Sequence, residues 1–178
     1  MLFTNRALRT RLGMLYKLAL VAGFALFLSA SARAQNSVQI FGGYSYMHVG
    51  DDPSLNTNGW EIAGQYKFAD WLGAVADFDG HYGTSQGFSR NTHNFLFGPQ
   101  ISFPARVSPF AHLLIGGAHT NWGGATSTSF AMAIGAGIDT RIVPQVYWRM
   151  VQMDYIPTYF FGHTQNNVRV STGIVVHF

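Results

Sequence analysis

Leu72-Gly73-Ala74-Val75-Ala76-Asp77-Phe78-Asp79-Gly80-His81-Tyr82 is the stretch on which the reading of the fold turns. Leu72, Ala74, Ala76, Phe78 and Tyr82 fall on one parity, and Gly73, Val75, Asp77, Asp79 and His81 on the other. Successive side chains of a strand point to opposite faces. The stretch therefore predicts a β-strand with one apolar face and one ionisable face.

The same alternation recurs along the chain. Trp60, Ile62, Tyr66 and Phe68 alternate with Glu61, Gln65 and Lys67. Phe130, Met132, Ile134 and Ile138 alternate with Ala131, Ala133, Gly135, Gly137 and Asp139. Val168, Val170, Ile174, Val176 and Phe178 alternate with Arg169, Ser171, Gly173 and His177. Eight such stretches are expected as strands: Val38–His48, Asn58–Phe68, Leu72–Tyr82, His93–Phe103, Pro109–Thr120, Thr128–Asp139, Gln145–Tyr155 and Asn167–Phe178. Each is long enough to cross a bilayer as a tilted strand, which takes about 9 to 11 residues. No helical period appears after residue 35.

The connections sort into two kinds. Val49–Thr57, Gly83–Thr92, Asn121–Ser127 and Ile156–Asn166 read as long polar loops, whereas Ala69–Trp71, Pro104–Ser108 and Thr140–Pro144 read as short turns. Long and short alternate along the chain, as they do in barrels with external loops and periplasmic turns. Alternation leaves open which face looks inward. The aromatics favour lipid outside: Trp60, Tyr82, Trp122 and Tyr155 lie near the long-loop ends, and Phe68, Trp71, Phe103, Trp148 and Phe178 near the short-turn ends. Two such bands match the interfacial girdles of membrane barrels. Among them, Trp60, Trp71, Tyr82, Trp148, Tyr155 and Phe178 are the expected membrane-interface set. Closure follows, because an open strand edge in lipid leaves backbone groups unpaired at several kcal/mol each. The fold class expected is all-β: an eight-stranded antiparallel up-and-down transmembrane β-barrel.

The first residues read differently. Arg6, Arg9, Arg11 and Lys17 precede an apolar run from Leu18 to Leu28, and Ala32-Arg33-Ala34 closes the segment. A basic segment, a short apolar run and an A-x-A site form a secretory signal peptide. Residues 1–34 are its expected extent, with the barrel over 35–178, and Met14–Ala34 alone would make a complete signal. The whole chain has 11 basic and 8 acidic residues. Five of the basic ones precede the expected cut, so the barrel segment carries 6 minus 8, a net −2. The basic balance thus belongs to targeting and gives no nucleic-acid footprint. There is no cysteine, hence no disulfide framework or thiolate metal site.

The signal segment, the eight alternating stretches and the terminal Thr172-Gly173-Ile174-Val175-Val176-His177-Phe178 resemble the OmpA/OmpX-like superfamily of small outer-membrane barrels. Pro109-Phe110-Ala111-His112, Gln152-Met153-Asp154-Tyr155 and Gln165-Asn166-Asn167-Val168-Arg169 look like segments of its porin-family branch. The resemblance implies an outer-membrane location. It also implies that Phe178 serves as the assembly signal read by the barrel-assembly machinery, which would be a partner alongside outer-membrane lipids. The chain lacks the peptidoglycan-binding domain that follows the barrel in OmpA, so no cell-wall tether is implied.

Glu61, Lys67, Asp77, Asp79, His81, Gln100, Asp139, Asp154 and Arg169 are expected to converge in the lumen as a polar network. Ionised groups in a narrow interior must be paired. Placing Gln152 and Asp154 inside puts Arg149 on the outward parity near the periplasmic interface, where it would either snorkel or be turned inward by a bulge. Asp77-x-Asp79-x-His81 would also suit acid–base work or a metal, although any lumen-facing strand yields the same spacing. Some lipid A-modifying enzymes are eight-stranded barrels too, but no His-x-Ser pair supports that comparison. The seven histidines, at 48, 81, 93, 112, 119, 163 and 177, show no ligand spacing. No catalytic, metal or cofactor residue is assigned. Trp122 and Tyr159-Phe160-Phe161 are expected on external loops, where they would meet an extracellular ligand or rest in headgroups. Arg90 is expected on a loop open to protease, ahead of Arg106 and Arg141.

The leading expectation is a noncatalytic outer-membrane barrel with a structural, surface-interaction or minor permeability role. The alternatives are an outer-membrane enzyme acting on lipid A or phospholipid, and a soluble periplasmic ligand-binding barrel. N-terminal sequencing of the exported protein is expected to begin at Gln35; a chain retaining Leu18–Leu28 would overturn the cleavage reading.

Overall fold

The computed structural model describes residues 37–50, 54–85, 87–160 and 163–178. The expected signal segment, Asp51, Asp52 and Phe161 lie outside these, as does the side chain of His163. Eight strands follow in order: β1 Ser37–Gly50, β2 Leu55–Ala69, β3 Leu72–Ser85, β4 Phe88–Ser102, β5 Val107–Trp122, β6 Ala125–Val143, β7 Val146–Phe160 and β8 His163–His177. Each pairs antiparallel with its neighbours, and β1 pairs with β8 to close the barrel. That seam runs from Gln39 opposite His177 to Gly50 opposite Asn166. Phe178 extends it, its backbone N–H donating to the Val38 carbonyl at 2.8 Å.

The strands outrun the expected ones at the end away from the barrel's termini. The segments expected as long loops are largely hairpin strands, joined across residues 51–54, 86–87, 123–124 and 161–162. Two features zip them. Polar side chains bond across the hairpins: His48 Nδ1 lies 2.7 Å from Asn56 Oδ1, and Tyr155 Oη donates to Asn166 Oδ1 at 2.7 Å. Inward apolar residues Val49, Leu55, Ile156 and Phe160 are buried beneath them. Gly123 and Gly124 turn β5 into β6 with φ of 56° and 94°. Positive φ at both central residues is what a two-residue hairpin turn of type I′ requires, and glycine reaches it without strain.

This lengthening corrects three expectations. Arg90 is not on a loop; it lies in β4 with its side chain inward and 4% exposed. Tyr159 and Phe160 belong to β7, Tyr159 facing out and Phe160 buried in the lumen. Trp122 closes β5 on the inward parity, where the Arg90 guanidinium lies 5.9 Å from its ring centroid.

The faces are inverted relative to a soluble barrel. Ile62, Phe78, Ile134 and Ile174 are 43–53% exposed on the outside. Glu61, Asp77, Asp79, His81, Asp154 and Arg169 are buried inside. An apolar belt wrapping the whole wall far exceeds the patches that soluble monomers tolerate. The soluble-barrel alternative is thereby overturned: water would meet the wrong face. Trp60, Trp71, Tyr82, Trp148, Tyr155 and Phe178 all face outward, 40–69% exposed.

One irregularity corrects a parity conflict. The register slips between Arg149 and Gln152 against β8, and between Ile138 and Asp139 against β6. Met150 and Val151 both face outward, so Arg149 and Gln152 both face in. An extra residue in one strand is a β-bulge, and here it restores Arg149 to the lumen. Deleting Met150 alone would give regular alternation with Arg149 and Gln152 both still inward, whereas deleting Met150 and Val151 together is expected to drive Arg149 or the Gln152–Asp154 pair into lipid. Gel migration before and after heating should then show loss of the compact, heat-modifiable species.

Candidate functional site

The lumen is filled in three layers. At the end bearing the termini, the Arg149 guanidinium lies 4.3 Å from the ring centroids of both Phe41 and Phe110. It donates from Nε and Nη2 to the two oxygens of Asp139 at 2.8 and 3.1 Å, and from Nη1 to Gln152 Oε1 at 2.6 Å. A bidentate carboxylate pair between aromatic faces is the environment that suits a buried guanidinium.

The middle layer centres on Arg169, which is 0% exposed. Four carboxylates from three strands surround it. Its Nε and Nη2 donate to Asp154 Oδ2 at 2.9 and 2.8 Å, and its Nη1 and Nη2 to Asp77 at 2.8 and 3.3 Å. Nη1 also donates to Asp79, and Glu61 Oε2 lies 3.5 Å from Nε. Further bonds engage the carboxylates from outside this ring. Asn94 Nδ2 donates to both Asp79 oxygens, at 2.8 and 3.0 Å, and Ser171 Oγ donates to Glu61. Gln152 Nε2 donates to Glu61 Oε1 at 2.9 Å and to Asp154 Oδ2 at 2.8 Å. His112 Nε2 lies 2.6 Å from Asp154 Oδ1. Gly135 makes that last contact possible, since a Cβ there would overlap the Asp154 carboxylate.

At the far end, Met47, Val49, Leu55, Ile156 and Phe160 form an apolar stopper, each at most 8% exposed. Beside them Arg90 Nη2 donates to Gln165 Oε1 at 2.8 Å.

The expected lumen set thus divides. Glu61, Asp77, Asp79, His81, Asp154 and Arg169 meet in the middle layer; Asp139 joins Arg149 one layer below. Gln100 stands apart, donating to Gln65 Oε1 at 3.1 Å. Lys67 does not join the network. It is only half-buried at the lumen mouth and donates to the Asp70 carbonyl at 3.3 Å, because a lysine this close to the rim keeps its ammonium hydrated. Sequence reasoning missed Ser45, Asn94, His112 and Ser171 as members. Each lies on an inward parity, so pairing register was the signal that could have found them.

Between the lower two layers lies a void of about 10 Å³, lined among others by Gln65, Asp77, His112, Arg149 and Gln152. His112 Nδ1 and Gln65 Nε2 are buried without a protein partner. The void matches the volume of one water, which polar cavities of this kind hold. It is far too small for an organic substrate.

One constellation mimics catalysis. His81 Nδ1 lies 3.1 Å from Asp79 Oδ1, and His81 Nε2 lies 2.9 Å from Ser45 Oγ. That is the connectivity of a Ser-His-Asp triad. All three residues are at most 1% exposed, Ser45 Oγ is also 2.9 Å from Ser171 Oγ, and the lumen void borders neither Ser45 nor His81. The geometry therefore serves as a packed hydrogen-bond chain. Among the described residues, no group of three His, Cys, Asp or Glu is arranged to hold a metal.

Arg169→Met is expected to leave four carboxylates facing one another without their cation. Removing one partner of a buried pair destabilises by about 3–5 kcal/mol. Urea unfolding of the refolded barrel measures this, and Arg169→Lys should recover part of the loss.

No family model and no curated protein matches this chain. Solved structures do. The crystal structure of Neisserial surface protein A is 16% identical, covers 79% of this chain and 97% of its own, and superposes with a TM-score of 0.61. Ail, the attachment invasion locus protein of Yersinia pestis, crystallised with the heparin analogue sucrose octasulfate, is 17% identical over 82% of this chain and 100% of its own, with a TM-score of 0.62. Outer membrane protein OprG from Pseudomonas aeruginosa is 12% identical over 80% and 96%, with a TM-score of 0.55. With its closed antiparallel eight-strand order, apolar exterior and ionic interior, the chain has the fold of the small outer-membrane β-barrels.

Proposed function

We propose that this chain is a noncatalytic, non-conducting integral protein of the outer membrane with a structural or surface-interaction role. The observation that carries the reading is the Arg169 cluster, stacked between the Arg149 layer and the apolar stopper. An ion path would have to break bonds to a guanidinium that is 0% exposed. An eight-stranded barrel is the size at which side chains fill the interior.

The reading includes export through a signal peptide cleaved after Ala34 and assembly through the barrel machinery, with Phe178 as the recognised residue. Its ring is 69% exposed at the closing seam, where a docking factor has access to it. Both barrel termini then face the periplasm, and the opposite strand ends, where β1 meets β2, β3 meets β4, β5 meets β6 and β7 meets β8, face outside. Ail was crystallised with a sulfated polyanion. The same ligand is disfavoured here, because among the described residues the external half holds Arg90 and Arg169 as its cations, both buried inward. Among the described residues, the Asn, Thr and Tyr side chains of the rim suit hydrogen-bonding partners instead.

Planar-bilayer recording of the purified barrel is expected to show no sustained conductance. A stable large-conductance state would overturn the filled-lumen reading, and a steady release of fatty acid from reconstituted phospholipid would overturn the noncatalytic one.

A further inference from the structure

The outward face of β2 to β6 carries a row that neither the lumen nor closure explains. By register, Trp60 stands opposite Gly80, Gly80 opposite His93, His93 opposite His119, and His119 opposite Thr128. Trp60 and His93 close over the bare Gly80: a Cβ there would meet the indole at 2.9 Å and His93 Nδ1 at 3.0 Å. The His93 ring meets Tyr82 edge-on, centroids 5.7 Å apart. His119 Nδ1 lies 2.8 Å from Thr128 Oγ1.

One step toward the membrane centre, Phe95 stands opposite Gly117 and Gly117 opposite Phe130. The missing side chain at Gly117 opens a groove of about 330 Å³ on the lipid side. Phe78, Phe95 and Trp60 line its body, and His93, His119 and Thr128 line its rim.

The groove's height is set by the strand. Ten residues separate Phe103 from His93 along the outward face. At ~3.3 Å per residue and a tilt near ~40° this spans about 25 Å, the height of the apolar band in such barrels. The two imidazoles therefore stand at the headgroup boundary of the leaflet at the hairpin end. The groups packed around them are Trp60 from β2, Tyr82 from β3 and Thr128 from β6. Among the described residues of this half, the outward face carries no carboxylate, lysine or arginine. Among the described residues, no carboxylate on that face stands against His93 or His119.

We infer that this groove is a lipid-binding site: an acyl chain lies over Gly117 between Phe95 and Phe130, and the phosphate of an anionic headgroup sits against His93 and His119. Two arguments select this occupant. The groove is continuous with the apolar belt, so a membrane lipid reaches it without leaving the bilayer. The adjacent imidazoles, unbalanced on that face, complement a phosphate once protonated, and imidazole changes charge near neutral pH.

The test uses the full barrel in nanodiscs of phosphatidylcholine with a minor fraction of phosphatidylglycerol, whose headgroup charge does not change in this pH range. Native mass spectrometry reads the lipids retained. Retention of phosphatidylglycerol over phosphatidylcholine is expected to rise about fivefold or more from about pH 8 to pH 6, the attraction of roughly one surface cation. The double variant His93→Gln/His119→Gln should lose that rise. Gly117→Leu should abolish retention of both lipids; a Cβ at Gly117 has only Ser129 O nearby, at 3.7 Å, so the side chain enters the groove without disturbing the wall. Equal retention of the two lipids by the unmodified barrel at pH 6 overturns the site. So does an unchanged pH response in the double variant, or displacement of the lipid by inorganic phosphate alone. All changes lie on the lipid face, and heat-modifiable migration reports folding of each variant.

Discussion

One guanidinium organises this molecule. Arg169, from the last long strand, gathers Glu61 from β2, Asp77 and Asp79 from β3 and Asp154 from β7. Its burial is possible only because the carboxylates come to it from several directions and their remaining oxygens are occupied by His112, Asn94, Gln152 and Ser171. Desolvating such a group is expensive. The network therefore acts less as a source of net stability than as a condition on register: only one pairing of eight strands satisfies every member. A one-residue slip in any strand would send its whole ionic set into lipid.

The rest of the wall yields to that condition. The bulge at Met150 and Val151 bends β7 so that Arg149 and Asp154 face the lumen together. Gly135 leaves β6 bare where the His112–Asp154 pair lies against it. Phe41 and Phe110 close on the Arg149 guanidinium, and at the other end an apolar cluster, with the Arg90–Gln165 pair beside it, seals the cylinder. The hairpins there extend as strands because Val49, Leu55, Ile156 and Phe160 bury themselves over the lumen while their polar neighbours bond across the hairpins.

An interior this fully committed leaves the outer wall and the rim as the places where function can reside. The Ser45–His81–Asp79 chain illustrates the point: connectivity that would mean catalysis in a cleft means packing in a sealed lumen. On the outside, by contrast, the small residues Gly80 and Gly117 roughen an otherwise aromatic wall at the depth where headgroups begin.

The sequence by itself determined the two-faced strands and their number, and its two aromatic bands pointed to the face that meets lipid. Alternation in Leu72–Tyr82 or Val168–Phe178 is a local property that the chain displays whether folded or not. It also marked the difficulty at Arg149, since parity counted along β7 conflicted with burial. What only the tertiary structure decided were the properties that depend on two strands at once. These include the bulge that resolves Arg149 and the partners that Ser45, Asn94 and His112 find across the lumen. They also include the conversion of apparent loops into hairpins and the alignment of His93 with His119. Period-2 patterning fixes which way a side chain points, but what it meets there depends on register and closure, and these are settled by pairings between residues as much as 138 positions apart.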